Sequence, residues 1–353
     1  MDQDLTDTLE HAVRDAHATG QRLCIQGGGT KGFYGRTPVG KPLGTGAHRG
    51  IIAYEPTELV ITARAGTPLD ELEVALANAG QMLPFEPPHF GAGATLGGTV
   101  ATGLSGPRRP YCGAVRDFVL GVGILNGTGA RLSFGGQVIK NVAGYDLARL
   151  MAGAFGTLGV LLQVSLKVLP SPECEATLAR AADAPGALTL AKQWLITPLP
   201  LSGVAWWDGT LYVRLSGTEA GVRAAQRIVG GDPVADGNVL WRELREQRLA
   251  FFTGDEPLWR LSVPPGAAPL DLPGRWLLDW GGAQRWLRTA APARQIREIA
   301  AAAGGHATGF RYGDRDTQGL HPLPAPLLAL HRRLKAAFDP RGILNPGRMY
   351  PEL

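Results

Sequence analysis

The chain has 353 residues, 44% of them hydrophobic and only 19% charged, with 49 glycines, 27 prolines and a net charge of +4. That is long enough for two domains with buried cores, and the glycines gather in short runs between apolar segments, which marks backbone shaping rather than disorder. The three cysteines are too dispersed for a disulfide framework, no apolar run reaches the ~20 residues of a membrane span, and no stretch interleaves basic with aromatic residues as a nucleic-acid surface does.

The acidic N-terminus is no signal peptide, so a cytoplasmic location is expected, with any approach to the inner face of a membrane made through partners. Leu5, Leu9, Ala12, Val13 and Ala16 share one helical face, and Gly20 is the stop. Strands are expected near 22–26, 50–54 and 59–64. A helix over 67–80 follows, with Thr67 as its N-cap and Pro68 at its first position. Residues 118–134 read as a hairpin turning at Asn126-Gly127, and 160–170 as a strand ended by Pro170. The segment 171–186 reads as a connection. Beyond it come a hairpin at Asp208-Gly209, a helix after Thr218, strands near 258–263, 275–280 and 284–288, a helix near 293–305, a final helix and a tail. All eight tryptophans fall from Trp194 to Trp286, as a docking face or as the core of a second α+β domain. No internal repeat is visible.

Three small-residue segments carry the chemistry. In "LCIQGGGTKGFYG", Gly27, Gly29 and Gly32 satisfy G-x-G-x-x-G, and Glu55 lies downstream where a Rossmann acid would be. The Rossmann reading fails locally: Phe33-Tyr34-Gly35-Arg36-Thr37-Pro38 has no helical period, so no helix begins there to face a pyrophosphate. Bare amides converging on an anion are the alternative, with a Cβ at Gly28 or Gly98 expected to block that approach. The second segment, 91–106, is almost wholly Gly, Ala, Thr, Ser and Val, with Thr95, Thr99 and Thr102 as hydroxyl donors. The third, 138–161, combines Lys140 and Asn141 with a Gly-Tyr-Asp turn and Gly156-Thr157-Leu158-Gly159.

In this order the three segments resemble the PCMH-type FAD-binding domain of the vanillyl-alcohol oxidase/p-cresol methylhydroxylase superfamily. The resemblance implies an α+β fold: a two-subdomain FAD-binding domain over 1–170, then a smaller α+β domain over 171–353 with a ferredoxin-like antiparallel sheet. It also implies noncovalent FAD. Gly27, Gly28, Gly29, Thr30, Lys31 and Gly32 would form the first pyrophosphate loop, and Thr95, Leu96, Gly97, Gly98 and Thr99 the second. Arg116 and Asp117 match the Arg-Asp that follows it. Asn141, Gly144, Tyr145, Asp146 and Gly156, Thr157, Leu158 and Gly159 match the third segment, with Lys140 beside the flavin or a phosphate. The tail "FDPRGILNPGRM" resembles that of bacterial FAD-linked D-2-hydroxyacid dehydrogenases, where Asn345 would return to the flavin.

Taken whole, the chain resembles the smaller FAD-binding subunits of bacterial glycolate oxidases, which work with a larger flavoprotein subunit and an iron–sulfur subunit. The two other readings are a self-sufficient FAD-dependent 2-hydroxyacid or alcohol oxidoreductase and a non-catalytic scaffold of this fold. The larger dehydrogenases carry H-x-G-D-G-N-x-H, which supplies base and metal ligands; no two histidines here are so spaced, and no metal site is expected. His306 is the candidate base. His89 and Cys112 are readable as loop and packing residues, and Arg108-Arg109 as a solvated pair or a contact to cofactor or partner.

Overall fold

The computed structural model describes residues 2–136 and 146–353. The chain forms two compact units, one of Met1–Leu104, Ala114–Pro170 and Pro322–Leu353, the other of Ser105–Gly113 and Ser171–His321.

The first unit is built on a five-stranded antiparallel sheet in the order Ile51–Glu55, Val60–Arg64, Val160–Lys167, Val119–Leu125, Arg131–Gly135. Val160–Lys167 takes the centre because six of its eight residues are buried, as its near-continuous apolar run requires. Helix Thr6–Thr19 lays Leu9, Val13 and Ala16 on Leu23, Leu43, Val160 and Leu344, as its apolar spacing dictates. Strand Leu23–Gln26 pairs in parallel with Lys41–Gly44, and Leu23 also bridges in parallel to Leu344 of the tail. No helix follows Leu23–Gln26, so the Rossmann pattern is absent from the fold as well.

The tail motif has a physical explanation. Asp339, 1% exposed, accepts from the amides of Ile343 (3.1 Å) and Leu344 (2.7 Å) and from Lys335 Nζ (2.7 Å). Lys335 also donates to the carbonyls of Thr157 and Leu344. Every strong donor in this buried knot has an acceptor, the condition under which a buried ion pair is tolerated.

The second unit is an eight-stranded antiparallel sheet, and its topology repeats although its sequence does not. Cys174–Ala181, helix Ala184–Leu195, Leu201–Trp207, Thr210–Gly217, helix Glu219–Val229 and Asp232–Pro233 make a β-α-β-β-α-β unit in the spatial order fourth, first, third, second. The strands Leu258–Ser262, Arg275–Asp279, Gln284–Arg288 and His306–Arg311 repeat that order, and the two halves join at one bridge, Trp206 to Leu278. Helix Ala293–Ala302 covers the second half by packing Ile296 and Ala300 on Trp259, Leu261, Leu287 and Ala307. Six tryptophans are buried and Trp206 and Trp276 half-buried, so they build the core and not a docking face.

Three local expectations are corrected. Residues 174–181, read as a connection, form a strand whose eight residues all pair with Thr210–Gly217; Ala and Glu at its positions hid the period-two signal. Thr67 does not cap a helix: its hydroxyl bonds both main-chain groups of Gly50, Pro68 takes the N-cap position, and the helix is Leu69–Asn78. The turn at Asn126 is longer than two residues; Asn126 Oδ1 accepts from Thr128 and Ala130, and the left-handed position is Gly129 (φ 77°), not Gly127.

Candidate functional site

A cleft of about 970 Å³ opens in the first unit, walled by small residues. Gly27 through Gly32 line it, with Thr95, Gly97, Gly98, Gly156, Gly159 and Asn345. Residues from four remote stretches of sequence therefore meet at one cavity. Among the described residues, the amides of Gly27, Gly28, Gly29 and Thr30 donate to no protein acceptor. Gly29 has φ +75°, the left-handed turn that lets successive amides point the same way.

The second segment behaves differently from its sequence reading. Thr95 is the N-cap of helix Leu96–Thr102, and the amides of that helix end are already taken: Leu96 N by Thr67 O (2.9 Å), Gly97 N by Ala65 O (2.7 Å) and Gly98 N by Thr95 Oγ1 (3.2 Å). A helix end does stand at the cleft, yet its first amides are not on offer. Gly28 is also corrected in its reason: a Cβ there would lie 1.4 Å from Gly93 O and at Gly97 2.8 Å from Ala65 Cβ, so these glycines let chain approach chain. At Gly98 the nearest atom to a Cβ is Thr95 Oγ1, at 3.1 Å. Thr102 donates back to Gly98 O, while Thr99, fully buried, keeps an unpaired Oγ1. Leu96 is core.

Asn345 acts as a staple. Its Oδ1 accepts from Ile25 N (2.7 Å) and its Nδ2 donates to Phe155 O (2.6 Å), tying the tail to the first strand and to the Gly156 loop. Its φ of 43° is one that Asn tolerates. Sequence reading missed Arg348, three residues further on in the same quoted motif. Buried at the cleft wall, Arg348 donates to the carbonyls of Gly32, Tyr34 and Arg36 and so braces the first loop. Lys31, 6% exposed, donates to His89 O at 3.3 Å. Among the described residues, Lys31 and Arg348 are the charged side chains of the lining, and no carboxylate joins them.

Other expected residues lie elsewhere. Arg116, Thr157 and Leu158 line a second cavity of about 820 Å³ in the same unit, with Arg149, His331 and Lys335. Asp117 accepts from Ala114 N, and Asp146 caps helix Leu147–Leu150 and pairs with Arg149. Lys140, Asn141, Gly144 and Tyr145 fall outside the described residues. His89 is bracketed by Asp70 (3.2 Å) and Glu73 (3.1 Å), a trio of metal-type donors whose imidazole already bonds both carboxylates.

The second unit holds His306, Cys112, Arg108 and Arg109. His306 opens strand His306–Arg311; burial, then Arg260, His321 and Arg109, push its pKa below the usual histidine value. Cys112 Sγ donates to Arg108 O (3.3 Å). Arg108 is buried and paired with Glu175, and Arg109 lies on Trp280, so neither is a simply solvated charge.

Comparison with known proteins agrees with this architecture. The FAD binding domain family matches residues 5–135, and the C-terminal domain of FAD linked oxidases matches 284–349. The chain is 52% identical over 350 residues to glycolate oxidase subunit GlcE of Escherichia coli K12, covering 99% of both chains. It is 32% identical over 128 residues to glycolate oxidase subunit GlcD of Bacillus subtilis, 36% of this chain and 27% of that one. A solved structure of alkyldihydroxyacetonephosphate synthase superposes with a TM-score of 0.68 at 15% identity, over 96% of this chain and 74% of that one, which speaks for the fold. The chain belongs to the family of the glycolate oxidase subunit GlcE, among the FAD-linked oxidases.

Proposed function

We propose that this chain is the FAD-binding subunit of a glycolate oxidase complex, which oxidises glycolate to glyoxylate and passes the electrons to an acceptor other than oxygen. The partners in this reading are a larger flavoprotein subunit and an iron–sulfur subunit. One observation carries the flavin assignment: among the described residues, four open amides at Gly27–Thr30 share a cleft with Lys31 and Arg348 and with no carboxylate. Such a lining suits the diphosphate of FAD, since converging N–H dipoles and cations stabilise anionic oxygens out of bulk water.

In this reading Gly27, Gly28, Gly29, Thr30 and Lys31 hold the diphosphate. Arg348 and Asn345 set the loop geometry, and Gly156 and Gly159 keep the far wall thin. FAD supplies a two-electron acceptor for the hydride of a 2-hydroxy acid. Purified chain reconstituted with FAD is expected to show flavin absorption near 450 nm at one equivalent, released by acid because it is noncovalent. A colourless protein after reconstitution overturns the assignment. The second reading is that this chain removes the hydroxyl proton by itself, with His306 as the base. Anaerobic bleaching of the flavin by glycolate without partner subunits would establish that reading in place of the first.

A further inference from the structure

The last helix of the first unit, Ala325–Phe338, is docked by one end only. Lys335 and Phe338 are its buried residues, and none from Ala325 to Leu334 is buried. Leu327 and Leu330 are 41% and 42% exposed. Their spacing puts Leu327, Leu330, His331 and Leu334 on one face, and at about 100° per residue Arg332 and Arg333 fall on either side of it. A helix of a globular protein ordinarily turns such a stripe to the core, whereas here about two turns of it stay uncovered.

The stripe opens onto the cavity of about 820 Å³ in the same unit. His331 and Leu334 belong to both, and Leu150, Leu158, Met349 and Leu353 supply apolar wall. Among the described residues the ionisable side chains of the lining are all basic, and no carboxylate joins them. Two are already neutralised, Arg149 by Asp146 and Asp117 and Lys335 by Asp339. Arg116 in the lining, with Arg332 and Arg333 beside the stripe, is exposed and has no partner among the described residues; nor have they. Apolar surface ringed by unpaired cations is complemented by apolar and acidic groups together. The concavity selects their carrier: a flat bilayer surface leaves such a hollow unfilled, whereas the ridge of an amphipathic helix enters it.

We propose that this groove docks an amphipathic helix with acidic flanks, carried by a partner subunit. Its apolar ridge lies on Leu327, Leu330 and Leu334 and reaches into the cavity, and its carboxylates meet Arg116, Arg332 and Arg333. That there are partner subunits rests on the function proposed above; the groove and its charge rest on this geometry. The groove shares no lining residue with the FAD cleft, so docking and flavin binding can be lost separately.

Co-expression of the full chain with the larger flavoprotein and iron–sulfur subunits, followed by affinity capture through this chain, tests it. Leu327→Asp with Leu330→Asp should cut the captured partner about tenfold or more. Flavin content and thermal midpoint of that variant alone should stay at wild-type values, because both leucines are exposed. Arg332→Glu with Arg333→Glu should weaken capture and make it rise with added salt, where wild-type capture falls. A benzophenone side chain in place of Leu330, photolysed in the complex, should crosslink to a partner segment with apolar residues three and four apart and Asp or Glu beside them. Wild-type capture of neither subunit overturns the complex and this surface together. Capture untouched by both double variants overturns the surface alone, as does a crosslink to a second copy of this chain or to a segment without acidic residues. Pelleting of the chain with phosphatidylglycerol vesicles, lost in Arg332→Glu with Arg333→Glu, gives the face to a bilayer and overturns it too.

Discussion

The loops at 27–32 and 95–99 are alike in composition, and both line the same cleft, yet they do opposite things. In the first, four consecutive amides have no acceptor among the described residues. In the second, the amides of Leu96, Gly97 and Gly98 are held by Thr67 O, Ala65 O and Thr95 Oγ1. The first leaves its amides open to the cleft, and the second is built to be approached by backbone. A run of glycines therefore reports closeness without saying whether ligand or chain comes close.

Substitutions can break that contrast. The largest effect is expected at Gly28, where the Cβ of Gly28→Ala would fall on Gly93 O, a main-chain atom that cannot swing aside. Stability should drop by more than ~3 kcal/mol and flavin content to near zero, read by thermal unfolding and by the absorbance ratio at 450 and 280 nm. Full flavin stoichiometry in this variant would show that the two loops need not touch.

Next comes Arg348→Ala, which removes the donors bridging Gly32, Tyr34 and Arg36. FAD affinity should fall about 10- to 100-fold, the ~1.5–3 kcal/mol of a charged hydrogen-bonding group, measured by quenching of flavin fluorescence. Arg348→Lys should recover only part of it, because an ammonium cannot span three carbonyls.

Thr95→Ala sharpens the contrast from the other side. Losing the N-cap should cost ~1 kcal/mol of stability in thermal or urea unfolding. Flavin stoichiometry should stay at one per chain, since the amides at this helix end serve Ala65 and Thr67. A tenfold loss of FAD affinity would move the second loop into the ligand shell.

Most elements could be read locally. The helix at Thr6–Thr19, the Asp208-Gly209 hairpin and the strands at Leu258–Ser262 and Gln284–Arg288 follow from apolar period and turn chemistry. Strand Cys174–Ala181 could not, because pairing with Thr210–Gly217 decides it, and that strand is remote in sequence. Of the candidate site, Gly27–Gly32, Thr95, Gly97, Gly98, Gly156, Gly159 and Asn345 do meet at one cleft, whereas Arg116, Thr157 and Leu158 turn to another. Arg348 stood in a motif already singled out but carried no signal of its own, since an arginine near a terminus is ordinarily a solvated charge.

The residues by themselves determined where the chain must be thin, where it turns and which segments are apolar enough to be buried. These are consequences of side-chain size and local dihedral freedom, which neighbours in sequence largely settle. Only the tertiary structure decided which amides stay open and which carbonyls Arg348 bridges. Each depends on a partner brought from tens or hundreds of residues away, such as Gly93 beside Gly28 or Asn345 beside Ile25. A hydrogen bond is formed between groups that meet in space, and no local pattern records who will be there to accept it.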